Sequence, residues 1–230
     1  MLDEPLGLTV HSLPHPQEAA ERDSRRTVAG RMKMLLVLAV CAAPVIASYF
    51  TYYVVRPEGR RNHGELIDPQ RPLPGIAATT ADNVRLELPS LQGQWLLVSV
   101  AGGSCPATCE KNLYLQRQLR ESLGKEKDRV DWIWFVTDDA AIRPELAPAL
   151  AQATVLRVNP SQLAQWLQPA AGHEIGDHLY LVDPMGNWMM RFPPAAGREV
   201  DIAAAKNIKR DLDRVLRASA SWDQAGRPER

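Results

Sequence analysis

An uncharged stretch near the N-terminus, residues 34–55, is the longest hydrophobic run in the chain. As an α-helix it would extend about 33 Å, which is enough to cross a bilayer core about 30 Å thick. Four aromatic residues gather at its C-terminal end, as in the aromatic belt of a membrane interface: Tyr49, Phe50, Tyr52 and Tyr53. The run starts too far along the chain to be typical of a cleaved signal peptide. It therefore predicts one transmembrane helix that anchors the protein.

The segments on either side of this run predict how the chain is oriented. Residues 1–33 are rich in Pro, Glu and Arg and have no sustained apolar period, which is typical of a disordered tail. Basic residues lie on both sides of the run, with a small excess before it, so the positive-inside rule favours a cytoplasmic tail. The C-terminal part would then lie in a periplasm or an equivalent space, where thiol pairs are handled.

Beyond the anchor, the hydrophobic pattern predicts an α/β domain at residues 84–218. Residues 56–83 are interpreted as a linker and N-terminal extension, and residues 219–230 as a disordered tail. The predicted order is β-β-α-β-α-β-α-β-β-α, and the runs at 95–100, 131–136 and 179–182 are apolar enough to be central strands of one sheet. The early β-α-β unit implies parallel strands with a right-handed crossover. The predicted fold is a thioredoxin-like mixed sheet with flanking helices, preceded by one transmembrane helix.

Composition narrows the classes of function. Hydrophobic residues make up 45% of the chain and charged residues 23%, which permits a folded core. The 27 basic and 27 acidic residues give zero net charge, so no overall field draws the protein to nucleic acid, and we expect no such partner. Three cysteines are too few for a disulfide scaffold. Cys41 lies in the membrane run and is interpreted as a small apolar residue.

The other two cysteines, Cys105 and Cys109, follow a glycine-rich turn at the end of a predicted strand and open a predicted helix. The free N–H groups and the dipole of a helix N-terminus favour an anion such as a thiolate. At positions i and i+4, two sulfurs share one helix face, where they could bind one soft metal ion or be oxidised together. The residues leave four readings open: a metal site, a redox pair, a structural disulfide, or two inert buried thiols. Asp138 and Asp139 lie at the same predicted edge, where strand-end or capping roles are favoured over a role behind the cysteines.

Three segments together resemble the Sco/SenC family of membrane-anchored, thioredoxin-like proteins that help assemble the binuclear copper centre of cytochrome c oxidase. They read LLVSVAGGSCPATCEKNLYLQRQLRESLG, VDWIWFVTDD and GDHLYLVDPMGNWMMRFP, and the resemblance covers roughly residues 64–217. It implies that Cys105 and Cys109 are thiolate ligands of copper, with Pro106 at the family's proline position. The chain differs from the family motif at Ala107, where the family has an acidic residue, and at Glu110, where it has a second proline.

The resemblance also implies a distal histidine ligand just before a late strand. His178 follows an aspartate, as the family's histidine does, and lies two residues before Tyr180; His173 lies seven before and is the second choice. The implied metal ligands are therefore Cys105, Cys109 and His178, and the implied cofactor is copper, as Cu(I) or Cu(II).

Two functions of different classes follow. The first is a membrane-anchored copper-binding assembly factor for cytochrome c oxidase, which would be a metallochaperone in the bacterial inner membrane with its C-terminal domain in the periplasm. Its partner would be oxidase subunit II or another copper-site protein. The second is a thiol-disulfide oxidoreductase, in which Cys105 attacks and Cys109 resolves a cysteine pair of a partner protein. A further reading is an assembly scaffold whose site has drifted. The C-x-x-x-C spacing favours metal, since C-x-x-C is the commoner redox spacing.

Overall fold

A single long helix, α1 (Pro16–Phe50), continues into a π-helical turn (Thr51–Val55) in the N-terminal unit of the chain. The computed structural model describes residues 16–55, 62–194 and 201–226. By length and composition, Thr27–Val54 could cross a membrane. The helix begins at Pro16, so residues 16–33 are helical where the sequence predicted a disordered tail; residues 1–15 lie outside the described residues. The reason is local, because strong helix formers follow a proline at the first helical position.

The C-terminal unit is built on one mixed sheet, and its described part contains eight strands in the order β1-β8-β7-β4-β5-β6-β2-β3. The strands are β1 (Glu65–Pro72), β2 (Ala77–Thr80), β3 (Arg85–Glu87), β4 (Trp95–Ala101), β5 (Val130–Val136), β6 (Thr154–Val158), β7 (Tyr180–Val182) and β8 (Asn187–Arg191). The helices are α2 (Ala107–Ser122), α3 (Ala147–Leu150), α4 (Pro160–Trp166) and α5 (Ile202–Ser219).

The centre of the sheet is the unit β4-α2-β5. The two strands pair in parallel over their full length, from Trp95↔Val130 to Ala101↔Val136. Strand β6 continues the parallel pairing on one side, and β7 pairs antiparallel with β4 on the other. The hairpin β7-β8 closes this side. The three predicted central strands therefore lie in one sheet, and the thioredoxin-like fold class is confirmed.

Alternation along β4 divides the core into two layers. Leu96 and Val98 face the layer that contains Trp166 of α4. Trp95 and Leu97 face the opposite layer, which is filled by apolar residues of α2 and α5. Helices thus cover both faces of the sheet, because a strand buried on both sides presents apolar side chains in both directions.

Strands β1 and β2 come from the segment that the sequence assigned to a linker and extension. Strand β1 contains Pro69 and Pro72 and lies at the edge of the sheet, where a strand tolerates proline. Its prolines and charged residues conceal the alternating pattern of a strand. The folded unit therefore begins at β1 and not at residue 84.

The segment after α5 corrects the second boundary, because it is folded as far as residue 226. Asp223 is 6% exposed, and its carboxylate accepts a hydrogen bond of 2.8 Å from Nε1 of Trp95. The same carboxylate oxygen lies 2.7 Å from a guanidinium nitrogen of Arg129, whose side chain is also buried. The hydroxyl of Ser219 joins this network. The predicted disordered tail from residue 219 is thus wrong for 219–226, because one buried ion pair holds the segment to the sheet.

We expect Asp223→Ala to lower the free energy of unfolding by about 3 kcal/mol, because it leaves the buried Arg129 without this carboxylate. Glu126 still pairs with Arg129, which keeps the loss at the low end of the range for buried pairs. Asp213→Ala is the matched control, since its partner Lys209 is half-buried at the surface and such a helical pair contributes about 0.3–0.5 kcal/mol. Urea unfolding of the full-length protein, followed by circular dichroism, measures both. Equal losses of unfolding free energy in the two variants would contradict the view that the buried pair of Asp223 with Arg129 holds this segment to the sheet.

Candidate functional site

The turn between β4 and α2 carries Cys105, and the first turn of α2 carries Cys109. Both lie at the carboxyl edge of the parallel strands, where open α/β sheets place their sites. The first two residues of the turn between β4 and α2 are Gly102 and Gly103. A Cβ atom on Gly102 would collide with the carboxylate of Asp138, and one on Gly103 would collide with the carbonyl oxygen of Ala140. The glycines are required here because the loop after β5 approaches the turn closely.

Cys105 and Cys109 form a disulfide, with an S–S distance of 2.01 Å and a Cα–Cα distance of 5.1 Å. Cys105 precedes α2 and has a φ of 45°, which is uncommon for a residue with a side chain. Cys109 lies in the first turn of the helix. Cys105 thus lies outside the regular helix, so the predicted helical spacing of i and i+4 does not describe how the two sulfurs meet. Strained backbone of this kind is found most often at functional sites.

The disulfide is buried. Cys105 is 1% exposed and Cys109 is 4% exposed. Both belong to an apolar cluster under α2 that includes Trp132 and Trp134 of β5 and Leu150 of α3. The pair therefore offers a partner's thiol almost no accessible surface in this conformation.

Asp138 ties the loop after β5 to the cysteine turn. Its Oδ1 accepts a hydrogen bond of 2.7 Å from the backbone N–H of Gly103 and a second, of 3.2 Å, from Ala140. Arg157 of β6 donates to the carbonyl oxygens of Asp138 and Ala140. Asp138 thus both caps the end of β5 and holds the cysteine turn in place. This agrees with the structural role that the sequence favoured.

Arg143 is a site residue that the sequence analysis missed. Its guanidinium donates a hydrogen bond of 3.1 Å to the carbonyl oxygen of Cys105 and forms an ion pair with Glu110, which lies in the first turn of α2. Its partners lie 38 and 33 residues away in the chain, so no local spacing could have revealed it. The contact brings a cation to the helix N-terminus that carries the disulfide.

His178 has a different environment from the one expected of a metal ligand. It is fully buried, with Nδ1 2.9 Å from the carbonyl oxygen of Phe192 and Nε2 3.1 Å from the backbone nitrogen of Ala170. Because a backbone N–H can only donate, Nε2 is the acceptor and Nδ1 carries the proton. Burial lowers the pKa of His178, and the hydrogen bond to Phe192 only partly offsets this effect. The imidazole is therefore neutral, with both nitrogens engaged in the fold.

His173, the second choice, is exposed at the surface. Its Nδ1 lies 3.6 Å from a carboxylate oxygen of Asp177, and its ring centroid is 5.5 Å from that of His178. The two predicted histidines are therefore neighbours, but one supports the fold and the other faces solvent.

The two cysteines of this site suit copper, whereas the histidine does not in its present hydrogen bonding. Two cysteine sulfurs suit Cu(I) once they are reduced to thiolates. His178 would have to give up the N–H of Ala170 before its Nε2 could bind a metal. Among the residues that the structure describes, no three His, Cys, Asp or Glu side chains are grouped so that they could hold a metal ion. The predicted ligand set of Cys105, Cys109 and His178 is thus not assembled here and stays a prediction.

Several solved structures are similar to this chain. Apo Sco1 from Thermus thermophilus is 20% identical, with 67% of this chain and 97% of that chain covered and a TM-score of 0.49. Copper-bound yeast Sco1 is 13% identical, with 68% and 97% covered and a TM-score of 0.46. The thioredoxin domain of a thiol-disulfide oxidoreductase from Bacteroides vulgatus is 14% identical, with 63% and 95% covered and a TM-score of 0.45. Sco proteins are thus among the similar structures, as the resemblance in the sequence predicts.

A comparison with curated proteins found no match. A family model described as the transmembrane-like, thioredoxin-like, C-terminal domain matches residues 95–219, which run from β4 to the end of α5 and include the cysteine turn. The match covers more than half of the chain and the whole central β-α-β unit. The chain belongs to this family of transmembrane-like, thioredoxin-like proteins.

Proposed function

We propose that this protein is a single-pass membrane protein whose Cys105–Cys109 pair exchanges electrons with a cysteine pair of a partner protein. The observation that carries the proposal is the disulfide itself, which closes across the turn from a parallel strand to a helix N-terminus. That position stabilises a thiolate when the pair is reduced. The candidate span Thr27–Val54 would hold the domain at a membrane surface.

The exchange needs two steps. In the first, the thiolate of reduced Cys105 attacks one sulfur of the partner's disulfide, so that a mixed disulfide forms and the partner's other sulfur leaves as a thiolate that takes up a proton. In the second, the thiolate of Cys109 attacks the Cys105 sulfur and releases the partner's remaining sulfur. The partner gains two electrons and two protons, and the Cys105–Cys109 disulfide is restored. A dithiol reductant must then reduce this pair before another turnover.

The proposed location and partner come from the sequence. Its resemblance to the Sco/SenC family suggests the bacterial inner membrane, with the thioredoxin-like domain in the periplasm. The same resemblance suggests cytochrome c oxidase subunit II, or another copper-site protein, as the owner of the partner cysteines. Keeping those cysteines reduced would allow copper to be inserted into the partner.

The two-step exchange predicts that Cys109→Ala traps the partner and that Cys105→Ala does not. Without Cys109, the mixed disulfide on Cys105 has no resolving thiol and accumulates. The probe is a disulfide-closed peptide with the cysteine pair of an oxidase subunit II, mixed with the reduced full-length protein in detergent micelles. Mass spectrometry without reductant should show an adduct of one peptide on Cys109→Ala, at least tenfold above the level on Cys105→Ala. If the adduct forms on neither variant, the exchange proposal fails; if it forms only on Cys105→Ala, the roles of the two cysteines are reversed.

Copper binding is the second candidate, favoured by the two sulfurs held at one place and by the resemblance. The reduced Cys105 and Cys109 would supply the two thiolates that Cu(I) prefers. His178 or His173 is proposed as the third ligand, which would allow the site to bind Cu(II) as well. Such a protein would deliver copper to the oxidase and would not turn over a substrate.

Copper loading of the reduced full-length protein tests this second candidate. Cys105→Ala and Cys109→Ala should each abolish binding of Cu(I), because one sulfur cannot replace a two-thiolate site. His178→Gln should chiefly weaken the binding of Cu(II), and His173→Gln is the matched variant, which should have little effect. If His173→Gln weakens Cu(II) binding and His178→Gln does not, then His173 is the ligand and the copper-binding function still holds. Copper binding that survives in the Cys105→Ala/Cys109→Ala double variant would contradict the candidate.

A further inference from the structure

The burial of the disulfide has a consequence for how a partner reaches it. Thiol-disulfide exchange requires an attacking sulfur to contact one sulfur of the disulfide. Cys105 and Cys109 are 1% and 4% exposed, so they offer almost no surface for such a contact in this conformation. An element that packs around the disulfide must therefore move before the pair can be reduced.

The covering element is the segment from Ala140 to Ala153, named here the cover segment. Four of its residues pack in the cysteine cluster: Ile142, Leu146, Leu150 and Ala153. Its ordered structure is slight, a 3₁₀ turn (Pro144–Leu146) followed by the single turn of α3. Segments with few internal hydrogen bonds and much exposed surface open at low free energy. The cover segment therefore has the features of a segment that opens at low free energy.

The two ends of the cover segment are fixed by partly buried polar contacts and by the sheet, whereas the polar contacts of its middle are exposed and add to its apolar packing. At the N-terminal end, Asp138 bonds to the cysteine turn and Arg157 bonds to the carbonyl oxygen of Ala140. At the C-terminal end the chain enters β6, in the sheet. In the middle, Arg143 donates to the carbonyl of Cys105 and pairs with Glu110, and the side chains of this ion pair are 42% and 48% exposed. Contacts this exposed are weak enough to be exchanged for contacts with a partner.

A cleft of about 540 Å³ lies between the cover segment and the β2-β3 turn. Arg143, Pro144 and Leu150 line it from the cover segment, and Thr80 and Asp82 line it from the turn. The cover segment is therefore not packed against other elements along its whole length.

We propose that the cover segment is a gate over the Cys105–Cys109 disulfide and that Arg143 is the residue that keeps it closed. The gate regulates the exchange site and so rests on the proposed function. A partner opens it by taking Arg143 from Glu110 and from the carbonyl of Cys105, which couples docking to exposure of the sulfurs. A small reductant, which makes no such contacts, reaches the disulfide only when the segment opens spontaneously.

Reduction of the full-length protein by dithiothreitol tests the gate. One dithiothreitol thiolate attacks a disulfide sulfur, the other cysteine leaves as a thiolate and is protonated, and ring closure of dithiothreitol releases the second cysteine. New thiols are trapped with iodoacetamide and counted by mass spectrometry. The wild-type rate should rise with dithiothreitol concentration and then level off at the rate of opening. Arg143→Ala should be reduced about threefold to tenfold faster at low dithiothreitol, because it loses one hydrogen bond and one ion pair of the closed state.

The control variants separate the gate from a general effect of charge or stability. Arg117→Ala removes the same charge from an exposed position on α2 and should be reduced at the wild-type rate. Arg143→Glu should be faster than Arg143→Ala, because it places two carboxylates together, and adding Glu110→Arg should bring the rate back towards wild type. Hydrogen exchange at residues 144–150 should increase in Arg143→Ala, whereas exchange in β4 and β5 should not change.

The outcomes distinguish the gate from the exchange function. Equal reduction rates in wild type, Arg143→Ala and Arg117→Ala would overturn the gate even if Cys109→Ala still trapped the peptide. Faster reduction of Arg143→Ala with no trapping would support the gate and remove the proposed exchange. A rate that stayed proportional to dithiothreitol in the wild type and matched that of a small exposed disulfide would also overturn it.

Discussion

The parallel pairing of β4 with β5 is the constraint on which the rest of the structure depends. It aligns the two strands residue by residue and therefore brings the turn after β4 and the loop after β5 to one edge of the sheet. The cysteines come from the first connection, and Asp138 and Arg143 come from the second. The apolar runs on both strands set this register, because a slip of one residue would turn every side chain to the other face. The core thus brings the two connections together, and the hydrogen bonds of Asp138 and Arg143 then join them.

The same arrangement places opposing demands on the cysteine pair. The helix N-terminus and Arg143 favour negative charge at the turn, which suits a thiolate. The apolar cluster of Trp132, Trp134 and Leu150 shields the sulfurs from solvent and so slows any attack on the disulfide. A gated exchange site reconciles the two, since the pair is protected when alone and reactive when a partner is bound. His178 stands apart from this chemistry in the present structure, because both its nitrogens join segments of the fold.

Local signals in the sequence predicted the elements whose pattern is continuous. The central strands β4 and β5, for example, are apolar runs. The turn with the cysteines was also predicted, because glycines after a buried strand mark it. What the sequence could not predict depends on single contacts between distant residues. No periodic pattern in the sequence indicates these contacts. They are the pairing of Asp223 with Arg129, the burial of His178 and the ion pair between Arg143 and Glu110. The edge strand β1 was missed for a different reason, since its prolines interrupt the strand pattern.

We propose that the Cys105–Cys109 disulfide is a reactive pair and not a structural disulfide. The most direct test is its reduction potential, measured by equilibrating the full-length protein in glutathione redox buffers and counting alkylated thiols by mass. Because the helix N-terminus stabilises the reduced form, we expect a midpoint above about −300 mV, in the range of labile and catalytic disulfides. A midpoint well below about −300 mV is typical of a structural disulfide and would show that the pair is not reactive.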